Sequence, residues 1–155
     1  MNIKYHGGNK MVNVQLISYK ICRLDMYNDL ESDQGLKIQN WFEFDVTFDI
    51  ENNIAEAILT EHLKQAEDPS DFGIDLTLKG IFHITGVKSV DSKKEAHIKC
   101  YDELFPYAGQ VISHLAMNSG MSGLLLKKNP LKLESVNFGE KPEKERNDKI
   151  IEFRV

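Results

Sequence analysis

The stretch Leu104–Leu133, LFPYAGQVISHLAMNSGMSGLLLKKNPLKL, decides how the chain reads. In its first half Leu104, Phe105, Ala108, Val111, Ile112, Leu115 and Ala116 recur at spacings of one, three and four, the period of a single apolar helix face. Pro106 deep in a helix would delete a backbone bond and clash with the preceding turn, so the pattern predicts a helix starting near Asp102 or Glu103, capped by Asp102. Asn118, Ser119 and Gly120 supply the stop. Gly120 is the expected left-handed residue just past the end, and Met121 to Leu126 is expected to return across the same core. Leu104 to Asn118 would span about 22 Å, long enough to cover a sheet.

The strands lie upstream. Phe42, Phe44, Val46, Phe48 and Ile50 alternate with Glu43, Asp45, Thr47, Asp49 and Glu51, one side apolar and the other acidic, and Asn52-Asn53 follows as a tight turn. Phe72, Ile74, Leu76 and Leu78 alternate with Gly73, Asp75, Thr77 and Lys79 and run into Gly80-Ile81-Phe82. From Val12 to Met26 the apolar residues alternate but change parity twice, which predicts one long strand with bulges or two short strands. Polar Asn28 to Asn40 reads as a crossover loop, and lysine-rich Val87 to Tyr101 as a loop with one or two helical turns. In Ile54 to Ala66 the apolar residues Ile54, Ile58, Leu59, Leu63 and Ala66 fit helical spacing among good helix formers, although the segment sits between two strands.

At 155 residues one domain is expected, divided as a lead-in over 1–11, a folded region over 12–136 and a polar tail over 137–155. The tail ends in Ile150, Ile151, Phe153 and Val155, which predicts docking on a neighbouring surface or an added strand. A net charge of −5 argues against nucleic acid and mildly favours basic partner segments. No apolar run approaches the roughly 20 residues of a membrane span, and no apolar segment follows the charged start, so neither membrane insertion nor a signal peptide is expected and the cytoplasm is the default.

Chemistry is hard to find. Cys22 and Cys100 form no CxxC or disulfide framework, and His6, His62, His83, His97 and His114 show no ligand spacing, so no metal or cofactor is expected. His6-Gly7-Gly8-Asn9-Lys10 lacks the spacing of a phosphate-binding loop. Ser113 and His114 are adjacent on a helix and point apart, unlike a nucleophile and its base. An enzyme is not expected. What remains is a surplus of large apolar residues on strands, more than one helix can bury; for most of them packing in the core is the first explanation.

Leu104-Phe105-Pro106-Tyr107-Ala108 leading into an amphipathic helix, a glycine, Leu124-Leu125-Leu126 and a short apolar tail, with Gly80-Ile81-Phe82 upstream, resembles the SecB family of export chaperones. The resemblance covers Val12 to Leu133. It implies an α+β fold, a four-stranded antiparallel sheet covered on one face by a long helix and a second shorter helix, with Ile54 to Ala66 as a strand. It also implies subunits assembled as a dimer of dimers that hold unfolded or pre-export polypeptide clients in apolar grooves without ATP. Trp41, Phe42, Phe44, Phe72, Ile74 and Leu76 would then contact clients or another subunit, and Asp25 and Asp75 would stand where the family docks the SecA motor. Trp41 falls near the family's crossover-loop tryptophan.

The sequence departs from the family at several places. Gly109 replaces an arginine, Met121-Ser122 replaces Phe-Pro, Lys128 replaces a proline, Ile21 stands at an acidic position, and the zinc-binding tail is missing. These departures weigh against SecA docking and leave the fold and groove intact. A dedicated chaperone for one antitoxin, or a SecB-fold interaction protein without client binding, fits the same resemblance.

Overall fold

Alternation of apolar residues builds five strands: β1 (Asn13–Asn28), β2 (Gly35–Asp49), β3 (Ile54–Gln65), β4 (Phe72–Thr85) and β5 (Lys149–Arg154). The computed structural model describes residues 11–31, 35–136 and 138, and the backbone of 149–154; the expected lead-in over 1–10 and most of the polar tail lie outside the described residues. The strands form one antiparallel sheet in the order β1-β4-β3-β2-β5. One helix, α1 (Val90–Asn118), packs against β1 to β4.

The parity changes in Val12 to Met26 resolve as a single strand. β1 slips its register against β4 between Leu16 and Ser18 and again between Ile21 and Arg23, leaving Ile17 and Cys22 as the extra residues. Each slip returns apolar side chains to the helix side: Leu16 stands opposite Phe82, Tyr19 opposite Gly80, Ile21 opposite Leu78 and Leu24 opposite Leu76.

β3 is a strand throughout, pairing with β2 and β4 despite its helix-forming residues. Flanking strands satisfy both its edges, which outweighs a propensity difference of tenths of a kcal/mol per residue. It is reached through a turn in which Asn53 takes a positive φ of 55° and its N–H donates to the Ile50 carbonyl at 3.1 Å.

Three expectations are corrected. β2 starts at Gly35, so the crossover loop is shorter than Asn28 to Asn40 and Trp41 lies within a strand; Leu36, Ile38, Asn40 and Phe42 continue its buried alternation. The helix starts at Val90 rather than near Asp102 or Glu103. Ser89 and Ser92 close a capping box there, the Ser92 N–H donating to Ser89 Oγ at 3.1 Å and the Ser89 N–H to Ser92 Oγ at 2.8 Å. Ala96, His97, Cys100 and Tyr101 extend the buried stripe of Leu104, Phe105, Ala108, Ile112 and Ala116, and this packing retains Pro106 as an exposed interior residue. Third, the place of the second helix is taken by a single 3-10 turn, Leu133–Ser135.

The stop is as expected. Gly120 has φ 77°, and the Met121 N–H reaches back to the Ala116 carbonyl at 2.8 Å, closing a Schellman turn. Met121, Leu124 and Leu131 then return to the core that lies between α1 and the sheet. The apolar chain end also forms an added strand, since β5 pairs with the β2 edge from Gly35 to Asn40.

Candidate functional site

α1 packs across β1 to β4 but leaves the middle of β1 only partly covered. Tyr19, Ile21 and Leu24 sit on the helix-facing side of β1 yet remain 40%, 46% and 39% exposed. Ile17, projecting from the first bulge, is 56% exposed. Tyr19 is steadied by Tyr107 of α1, with ring centroids 4.4 Å apart. β1 ends the sheet, so one edge of its backbone is unpaired among the described residues beside this apolar row. A long strand edge flanked by apolar side chains is a template for another extended chain.

On the outer side of α1, Pro106, Gly109, Gln110 and His114 form one wall of a shallow groove and Leu125 and Leu126 the other. A Cβ on Gly109 would meet nothing within 4 Å, so this glycine is not required by packing inside the chain.

The opposite face of the sheet is polar, and it carries a row crossing four strands. Asp25 of β1 is opposite Asp75 of β4, Asp75 is opposite His62 of β3, and His62 is opposite Trp41 of β2. His62 Nδ1 lies 2.5 Å from Asp75 Oδ1, and Lys64 Nζ 2.7 Å from Asp75 Oδ2. His62 Nε2 is 3.5 Å from Glu43 Oε1, and the indole of Trp41 stacks on the imidazole at 5.0 Å. Partial burial pushes the Asp75 carboxyl upward, but hydrogen bonds from Lys64 and His62 outweigh it and hold the carboxyl below its ordinary range. Asp25 is paired outward with Arg23, Nε to Oδ2 2.6 Å.

Three residues singled out in the sequence, Asp25, Asp75 and Trp41, therefore fall on one line, joined by His62. A lone histidine in a segment of ambiguous period gave no sign of that position. The other five, Phe42, Phe44, Phe72, Ile74 and Leu76, are buried in the core. Their alternation turns them toward α1, so in this chain they are reached by a second molecule only if the helix moves.

Deeper still, Asn40, Glu61 and Gln65 are polar residues buried on the helix side. Asn40 Nδ2 donates to Glu61 Oε1 at 3.3 Å and to the His62 carbonyl at 3.0 Å, while Glu61 Oε2 has no hydrogen-bond partner among the described residues. Burial pushes the Glu61 carboxyl up to about 8, only partly opposed by Asn40. Among the described residues no group of three His, Cys, Asp or Glu side chains is placed to hold a metal ion, and no helix is long and apolar enough to cross a membrane.

A single antiparallel sheet backed by one long helix, with partly exposed apolar residues along β1 and a charged opposite face, defines an α+β fold. A family model described as preprotein translocase subunit SecB matches residues 31–141, and the chain belongs to the SecB family. It is 27% identical over 105 residues to the protein-export protein SecB of Orientia tsutsugamushi strain Boryong, covering 67% of this chain and 61% of that one. The match to the same protein of strain Ikeda is 27% identical over 105 residues and covers 60% of it. The chain thus spans about three-fifths of the length of these curated relatives. The fold is also that of a SecB-like chaperone from Mycobacterium tuberculosis, solved in complex with a ChAD peptide from an antitoxin. The TM-score is 0.60 at 17% identity, over 75% of this chain and 90% of that one.

Proposed function

We propose that this chain is an ATP-independent holding chaperone that binds apolar segments of unfolded or pre-export polypeptides in the cytoplasm. The observation that carries this reading is the half-exposed row Tyr19, Ile21 and Leu24 beside α1, along a strand edge that has no partner among the described residues. Membership of the SecB family supports it. The activity asks for no chemistry. A surface that binds the unfolded state and not the native one delays folding by mass action, and burial of apolar area, at about 25 cal/mol per Å², supplies the affinity.

The subunits are proposed to assemble as a dimer of dimers. Asp25 and Asp75, cross-strand neighbours on the bare face, are the acidic positions at which SecA would dock. Each already has a cationic partner, Arg23 for Asp25 and Lys64 for Asp75, which makes this a weak anionic site. A second reading, a dedicated chaperone of one antitoxin in a toxin–antitoxin module, is favoured by the fold shared with the antitoxin-bound relative.

The test combines molar mass by light scattering with suppression of aggregation of an unfolded model client. A tetramer that suppresses aggregation, and loses that ability when Tyr19, Ile21 and Leu24 are changed to serine, is the expected result. No suppression at several-fold molar excess over the client overturns the general holdase. Suppression confined to an antitoxin peptide selects the second reading.

A further inference from the structure

The β2 edge is occupied by the chain's own last strand. β5 pairs antiparallel with Gly35 to Asn40, Arg154 opposite Gly35 and Lys149 opposite Asn40, and among the described elements it contacts β2 alone. It therefore adds a strand to the sheet without entering the contacts between α1 and β1 to β4. Six residues hydrogen-bonded along one edge are marginal by themselves, and a two-stranded pairing of that size is weakly stable in water.

The printed register of β5 on this edge of β2 ends at Asn40, opposite Lys149. β5 has the sequence KIIEFR, short, extended and apolar at three of its six positions. It follows a run, Gly139 to Asp148, of glycine, proline, asparagine and charged residues with no large apolar side chain. β5 itself has the composition of a sticky, strand-forming segment.

We propose that β5 is a resident stand-in for an extended apolar client segment, and that such a segment binds by adding to the β2 edge in its place. This rests on the chaperone reading and extends it with a second contact that the chain itself competes for. The occupant is an unfolded polypeptide stretch with branched or aromatic residues opposite Leu36 and Ile38, the register positions now held by Phe153 and Ile151. Main-chain bonds to β2 would give sequence tolerance and the two register positions a preference, as in other cases of strand addition. Because β5 belongs to the same chain it competes intramolecularly, at high effective concentration, so only segments that bind better than it does are retained.

The experiment compares four proteins: the full chain, the chain ending at Asp148, the full chain with Ile151→Asp, and the full chain with Gln39→Cys and Ile150→Cys. The last two residues are opposite one another, and antiparallel partners lie within disulfide range. The probe is reduced, carboxymethylated lactalbumin, read by fluorescence anisotropy, with amide exchange followed in β5. If β5 leaves the edge free in about a tenth of molecules, removing or disrupting it tightens client binding about tenfold. The oxidised double-cysteine chain weakens binding and recovers on reduction, and client addition exposes β5 amides while Gly35 to Asn40 stay protected. Equal client affinity in all four, with β5 protected in the three chains that keep it, overturns the displacement and leaves the chaperone reading standing. Binding by none of the four overturns both.

Discussion

Gly80 lies directly beneath Leu104: a Cβ built on Gly80 would stand 3.1 Å from Leu104 Cδ1, with Phe82 Cε2 at 3.0 Å and Leu16 Cδ1 at 3.3 Å. The two sequence segments that carried the family resemblance thus meet in the core, the glycine letting the helix settle onto β4. Gly80→Val inserts three carbons where one is already tight, so about 1–3 kcal/mol of stability is expected to be lost. Leu104→Ala empties the facing position at about 2–5 kcal/mol. Because the alanine clears the space the valine needs, the double variant should be less destabilised than the sum. Urea unfolding of the four proteins measures the coupling; strict additivity would refute the contact.

Pro106 and Gly109 are both unfavourable inside α1, and neither has a packing reason within the chain. Pro106 is exposed, and a Cβ at Gly109 meets nothing within 4 Å. Gly109→Ala is therefore expected to stabilise the protein by about 1 kcal/mol, and Pro106→Ala by a comparable or larger amount, since proline costs about 3 kcal/mol in a free helix interior. Thermal melting reads the gain. Both residues line the groove closed by Leu125 and Leu126, so the same variants, assayed for client binding, separate helix stability from groove shape.

Legibility in the sequence followed how cleanly a segment separates its two faces. β2 was readable from Phe42 onward because its apolar residues keep one parity, while Leu36 and Ile38 were lost among the polar residues before it, and the parity shifts of β1 pointed to bulges or to two short strands. β3 was not readable locally. It buries Ala55, Ala57, Leu59 and Leu63 on one face but carries Ile54 and Ile58 on the other, and the two sets together imitate helical spacing. The first half of α1 escaped notice because its buried stripe is Ala96, His97, Cys100 and Tyr101, small or polar types among charges, and because Pro106 was taken as a boundary. The apolar row of β1 was visible as a strand, but its exposure depends on where α1 lies across the sheet. No local pattern encodes that position.

Of the two candidate docking acids on the bare face, Asp75 is expected to matter for stability and Asp25 not. Asp75 accepts from Lys64 and pairs with His62, all three side chains being partly buried, whereas Arg23 and Asp25 stand in solvent. Asp75→Asn leaves Lys64 without its counter-charge, at about 0.5–1 kcal/mol after solvent screening. Asp25→Asn should leave the melting temperature unchanged. A partner that reads this face by charge would show the reverse, with both substitutions weakening binding and added salt weakening it further.

Stability should fall as pH rises above 6.5, and Glu61 is the cause. The folded chain holds the Glu61 proton up to about 8, whereas in the unfolded chain it leaves near 4.5. Between these values the unfolded state binds fewer protons, so raising pH favours unfolding across that window. His97 works in the opposite direction. Burial among Phe44, Phe138 and the surrounding core lowers it from 6.5 to about 4, against a smaller upward pull from Asp45, so its contribution is lost as pH falls from 6.5 towards 4. The two effects offset one another below 6.5; between 6.5 and 8 only Glu61 of this pair still changes. At 1.36 kcal/mol per pH unit, the decline over that interval is about 2 kcal/mol. Glu61→Gln keeps the shape and an acceptor for Asn40 but cannot ionise, so urea unfolding from pH 6.5 to 8 should lose this decline. An unchanged slope in the glutamine variant would mean that the buried carboxyl is ionised in the folded protein.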